Sequence, residues 1–195
     1  MKRLTTILLA ALLLLSLSAC GCAKAPETTD PTNNANPTDG TNPTVGEEKN
    51  LSGTMEENVG KLIQANPVEF MGGMMPLDLT DTSEEGLWAL KSYTGLDTAK
   101  DITDAAVYEP MTGAQAFSLV MVRVKPDANA KDIARQMTDN IDRRKWICAM
   151  ADQSMVAGYG DTVMFIMVDS NLGKTAQSYV DAFKNLCGGK LDFTI

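Results

Sequence analysis

The chain has 195 residues, with 17 Lys plus Arg against 25 Asp plus Glu, four Cys and no His, for a formal charge of −8. Without histidine, Ser-His-Asp and Cys-His catalysis, His-ligated zinc and imidazole proton shuttling are excluded for this chain acting alone. The acidic balance excludes a general nucleic-acid binder, which meets phosphate with a net basic surface.

Residues 1–20 read MKRLTTILLAALLLLSLSAC. Lys2 and Arg3 make a short positive start, Ile7 to Leu17 is an almost unbroken apolar run, and Ser18-Ala19 supplies small residues before Cys20. That order is the layout of a secretory signal over residues 1–19, and its apolar run is short for a membrane span. Leu17-Ser18-Ala19-Cys20 resembles a bacterial lipobox. The resemblance implies cleavage between Ala19 and Cys20 and a diacylglyceryl group on the Cys20 sulfur, with palmitate-type chains and a further N-acyl chain as the expected anchor. Each buried methylene contributes about 0.8 kcal/mol, so two or three chains hold firmly where one would not. Cys22 matches the pattern less well. The bland alternative is a secreted protein whose Cys20 happens to lie at the cleavage site. Loss of Lys2 and Arg3 would take the charge from −8 to −10. The expected location is extracytoplasmic, held by lipid at the outer face of the cell membrane.

Residues 20–50 then form a Thr-, Asn- and Pro-rich stretch with Asn-Pro-Thr twice, no aromatic residue and one β-branched aliphatic, Val45. So little apolar surface cannot offset chain entropy, and a disordered tether is predicted. About 30 residues of flexible chain span roughly 30 Å on average and up to ~90 Å when extended. Its threonines offer sites for O-linked sugar. Residues 51–195 remain for one folded domain, long enough for a real core.

Within that domain, Thr54-Met55-Glu56-Glu57 matches a capping box and opens a helix with Val59, Leu62 and Ile63 on one face, stopped by Asn66-Pro67. Val68 to Leu79, with Gly72-Gly73-Met74-Met75-Pro76, reads as a loop. Thr82 or Ser83 caps a second helix whose apolar residues are Leu87, Trp88, Leu90 and Tyr93, ended by Gly95. A strand over 101–109, a turn at Met111–Ala114 and a strand over 116–125 follow. Asn129 starts the longest predicted helix, to about Cys148, with Arg135–Asp139 and Asp139–Arg143 as i,i+4 pairs. A second hairpin, 154–159 and 162–169 about Gly160-Asp161, leads to a last helix over 173–187. The strand 162–169 is apolar on both faces and needs cover on each. The expected fold class is α+β: an antiparallel, roughly four-stranded sheet from two ββα units, their two helices on one face and the amino-terminal helices on the other.

Lipobox, tether and the stretches Phe117-Ser-Leu-Val-Met-Val-Arg-Val-Lys, Ala130-Lys-Asp-Ile-Ala-Arg-Gln-Met, Tyr159-Gly-Asp-Thr-Val-Met-Phe-Ile-Met and Val180-Asp-Ala-Phe together resemble a family of small Gram-positive lipoproteins carrying a domain of unknown function. The likeness runs from about residue 97 to 195. These stretches are patterns of packing, and the family brings no established activity and no functional residues.

Candidate chemistry is sparse. Cys148 and Cys187 are each expected to close a helix, on opposite sides of the sheet, and a bridge needs Cα atoms within about 7 Å, so no disulfide is expected. Met71, Met74 and Met75 fall within five residues. Thioethers suit Cu(I), and equally suit irregular core space or an adaptable contact surface. Gly158-Tyr159-Gly160 and Gly72-Gly73 match neither a dinucleotide fingerprint nor a phosphate loop. Asp78 to Glu85 resembles half a calcium loop but fits a helix start better. Asp101 and Asp104 form a possible carboxylate pair or an acidic strand flank. Residues 56–109 hold 11 acids against three bases, and residues 110–195 nine against ten. Arg123, Lys125, Lys131, Arg135, Arg143, Arg144 and Lys145 read as a basic patch for an acidic partner or anionic polymer, or as a solvated helix face.

The reading that follows is a non-catalytic, lipid-anchored interaction module with no cofactor, whose partners are the membrane, through Cys20, and a cell-envelope protein or anionic polymer. The alternative is a small extracytoplasmic solute- or metal-binding lipoprotein, with Gly72–Pro76 and Tyr159 lining a pocket and the methionines taking Cu(I). An enzyme built on carboxylates, Tyr or Lys stands third.

Overall fold

The structure is a computed structural model and describes residues 49–195. The signal segment, Cys20 and the tether up to residue 48 lie outside the described residues. The chain runs α1 (Met55–Ala65), β1 (Gly72–Pro76), α2 (Glu84–Thr94), β2 (Ile102–Pro110), β3 (Phe117–Val124), α3 (Ala130–Asn140), β4 (Gln153–Tyr159), β5 (Thr162–Val168), a short 3₁₀ turn (Ser170–Leu172), α4 (Ala176–Leu186) and β6 (Phe193–Thr194). Local chemistry sets most boundaries. Thr54 and Glu57 make the reciprocal capping box of α1, Ser83 and Asn129 cap α2 and α3, and Gly95 ends α2 in the left-handed conformation.

The strands form one antiparallel sheet in the order β1-β2-β3-β5-β4-β6. The α+β class therefore holds, with six strands instead of about four. The Gly72–Pro76 segment, read from sequence as a loop, pairs with β2 as an edge strand, and Phe193-Thr194 adds a short edge beside β4. Neither belongs to a ββα unit.

Alternation along β3 and β5 sorts the core into two layers. Val120, Val122, Val163, Phe165 and Met167 face α2 and α3, while Phe117, Leu119, Met121, Met164 and Ile166 face α1 and α4. Both faces of the central strands are thus dry. Phe117 lies between Phe70 and Tyr179, with ring centroids 5.3 Å away on either side, both edge-on.

The expectation that the two later helices share a face is overturned: α3 and α4 cover opposite faces, paired with α2 and α1 respectively. Topology explains it. The register makes β3 parallel to β4 across β5, and β5 parallel to β6 across β4. Both connections step the same way along the sheet, but they leave strands that run in opposite directions. Right-handed crossovers of that kind place their helices on opposite faces.

The long third helix is also corrected. It ends at Asn140, with Ile141 extended as its cap. Asp142 accepts a hydrogen bond from the Arg144 N–H (2.8 Å), an Asx turn that competes with helix continuation. The expected Arg135–Asp139 pairing is replaced by Arg135–Asp132 at 3.4 Å. The segment 141–152 instead tucks Trp146 into the α2–α3 layer.

The first described residues are fastened at the β4–β5 turn. Lys49 pairs with Asp192, the Asp161 N–H donates to the Asn50 side chain (3.2 Å), and Arg123 donates to the carbonyls of Leu51 (2.7 Å) and Gly53 (3.0 Å). Among the described residues no helix is long and apolar enough to cross a membrane.

Candidate functional site

A groove of about 480 Å³ opens between β1 and α2. Met74 to Asp78 form one wall, Glu85 to Tyr93 of α2 the other, and Asp81 the rim. Trp88 projects from α2 with 66% of its surface exposed, and Met75 stands across from it at 37%. Sequence periodicity places Trp88 on the apolar face of its helix. In the structure that face is carried by Leu90, with Thr94 buried and hydrogen-bonded to the Leu90 carbonyl (2.7 Å). The sequence signal for an outward Trp88 is its neighbourhood, Glu84, Glu85 and Lys91, all wet-side residues.

The rim is acidic by construction. The Thr80 N–H and hydroxyl donate to Asp78, and the Ser83 N–H donates to Asp81 (2.9 Å). The Thr80 and Ser83 hydrogen bonds hold both carboxyls below the usual range, so both are charged at neutral pH. These turns make Asp78 to Glu85 a helix start and not a calcium loop.

Behind the groove lies a nearly dry ion pair. Lys145 meets Glu109, donates to the Ser92 carbonyl (3.0 Å), and has its ammonium 5.1 Å from the Tyr93 ring centre and 5.4 Å from that of Trp146. Burial lowers the Lys145 pKa, and Glu109 opposes that shift. Burial raises the Tyr93 pKa, with a smaller push from Glu109. The pair ties the 141–152 segment to α2 and β2 and so braces the wall that carries Trp88.

Other candidates disperse. Met74 and Met75 are neighbours on a strand and point to opposite faces, Met74 to the α1 layer and Met75 to the groove, while Met71 is 77% exposed. Three thioethers so placed do not converge on one ion. Among the described residues no group of three Cys, Asp or Glu side chains is placed to hold a metal. Tyr159 lies on β4 with Lys49 5.9 Å from its ring centre, across the sheet from Gly72–Pro76, so the two do not share a pocket. Cys148 is exposed on the 141–152 segment, Cys187 is buried at the end of α4, and both are free thiols. Asp104 accepts the Met55 N–H (2.8 Å) and anchors α1, whereas Asp101 lies 3.9 Å from Lys100.

The basic residues do not gather either. Arg123 donates to the Leu51 carbonyl (2.7 Å) and Lys125 to the Lys100 carbonyl just before β2 (2.6 Å), while Arg143 donates to the Ala151 carbonyl (3.1 Å) and Arg144 to the Met150 sulfur (3.3 Å) on the segment before β4. The site that geometry does assemble is therefore acidic and apolar, not basic.

No protein-family model, curated protein or solved structure matches the chain.

Proposed function

We propose that this chain is a lipid-anchored, extracytoplasmic binding module that works without catalysis and takes its partner in the groove between β1 and α2. The observation that carries the reading is Trp88: a large aromatic side chain held out in water beside a concave apolar wall, where a core role would have buried it. The anchor half of the reading rests on the signal layout and on Leu17-Ser18-Ala19-Cys20. A tether of the predicted reach would let the groove sample the envelope within tens of ångströms of the membrane.

A solute-binding reading draws on one observation, the groove volume of about 480 Å³, which falls within the size range of small-molecule pockets. Its open form favours a macromolecular partner. The experiment has two arms. Fatty-acid labelling is expected on the wild-type chain and absent from Cys20→Ala, and equal labelling removes the anchor. A photoreactive phenylalanine at position 88, activated on intact cells, is expected to give a discrete adduct. Absence of any adduct, with a small molecule that raises the melting temperature of the wild type and not of Trp88→Ala, reverses the order of the two readings.

A further inference from the structure

The groove has a backbone edge as well as side chains. Met71 accepts a hydrogen bond from the Met111 N–H (3.0 Å), and the Leu77 N–H donates to Ala105 (2.9 Å). Residues of an antiparallel strand alternate in the side to which their backbone groups point. Gly73 and Met75, in register with Glu109 and Val107, therefore bond to β2, and Gly72, Met74 and Pro76 present their backbone groups outward. The outward set is two N–H donors, Gly72 and Met74, and three carbonyls. Among the described residues none of these five groups has a hydrogen-bond partner outside the strand ladder. The Tyr108 ring lies over Gly72 where a side chain would stand, so this position of the edge strand admits only glycine without a shift of that ring.

Resting on the groove reading above, we propose that β1 accepts an added strand from a basic, extended segment of another protein. Backbone pairing at Gly72, Met74 and Pro76 supplies affinity, and alternate side chains of the guest lie over Trp88 and the Asp78, Asp81 and Glu85 carboxylates. Charge selects this occupant over two others. The chain's own residues 20–48 carry five acids and one base and repel the rim. A second copy, paired edge to edge about Gly73, brings its Glu69 opposite Leu77, beside Asp78 of the first. A segment alternating Lys or Arg with apolar residues meets both the carboxylates and the aromatic wall, with cation–π contact at Trp88.

The test is selection from a displayed library of random octapeptides on the full mature chain, with counter-selection on Trp88→Ala. Peptides rich in Lys or Arg at alternate positions are expected. Tenfold or greater weakening is expected when alternate peptide amides are N-methylated, when Asp78→Asn, Asp81→Asn and Glu85→Gln are combined, and in high salt. Met74→Pro, which removes an outward donor and leaves the β2 ladder intact, should weaken binding in the same way. The N-methylated peptide needs no protein variant and so decides the matter if Met74→Pro unfolds. Enrichment of acidic or neutral peptides, no enrichment, or equal binding of the N-methylated form overturns the proposal. An adduct at position 88 on cells, alongside any of those results, keeps the groove and removes the strand.

Discussion

The Cys187 thiol closes α4 against the α1 layer, where burial, with a further push from Asp192, raises its pKa to about 12. A thiolate is the reactive form, so this sulfur is chemically quiet at neutral pH. Cys148 stands in water on the 141–152 segment. Brief alkylation of the folded protein followed by peptide mass spectrometry is expected to modify Cys148 and leave Cys187 intact until denaturant is added. Equal modification of both would mean that the α4 end opens readily. Sequence placed both cysteines at helix ends, which is right for Cys187 and wrong for Cys148, because apolar spacing past Ile141 continues in letters after the helix has stopped. Trp88 fails for a related reason. A tryptophan beside Leu87 and Leu90 counts as core in any pattern of apolar spacing, and only packing reveals that the buried face runs through Leu90 and Thr94 and leaves Trp88 outside it.

Gly95 shows how one element depends on another. Its φ of 76° is left-handed, and a Cβ added there would sit 2.7 Å from the Met137 carbonyl oxygen and 3.2 Å from the Ile141 nitrogen, at the end of α3. Gly95→Ala thus meets a backbone penalty of about 1–2 kcal/mol and a steric one on top. A fall in melting temperature of roughly 4–8 °C is expected for a loss of ~2 kcal/mol in a domain of this size. Gly173 has φ of 69° with nothing within 4 Å, so Gly173→Ala should cost only the backbone share. Equal losses in the two variants would show that the α2–α3 contact is slack. Capped elements were legible in the sequence, since Thr54, Ser83 and Asn129 carry their signals locally. β1 was not, because Gly-Gly-Met-Met-Pro has neither alternation nor β-branched residues. Its strand conformation comes from pairing with β2 and is tolerated at Pro76 because that residue faces outward at an edge.

At the scale of the whole molecule, acidity sets the first limit on stability. Asp78, Asp81, Asp152 and Asp192 are held below the free aspartate value of 3.8 by hydrogen bonds from Thr80, Ser83, Ser170 and the Lys49 ammonium respectively. Each folded carboxyl binds its proton less readily than the unfolded one, so its contribution is complete above about pH 3.8 and is lost as pH falls through the folded values. Chemical denaturation from pH 6 to pH 2 should show stability falling most steeply below pH 4, with a shallower fall for Asp192→Asn. An unchanged slope in that variant would remove the Lys49–Asp192 link from the account. The α+β class was readable from periodicity, whereas the distribution of helices between faces was not. That distribution depends on the spatial order β3-β5-β4, and no local signal encodes it. The same order bears on how the chain is made. β3 is complete at Val124, yet its neighbour begins only at Thr162, with α3 and β4 between. Until that later stretch emerges, an eight-residue strand buried on both faces in the finished fold has one side unpaired. A chain stalled between those points is a half-built sheet with an adhesive border, so delivery of this protein favours fast completion or a chaperone that shields β3 until β5 arrives.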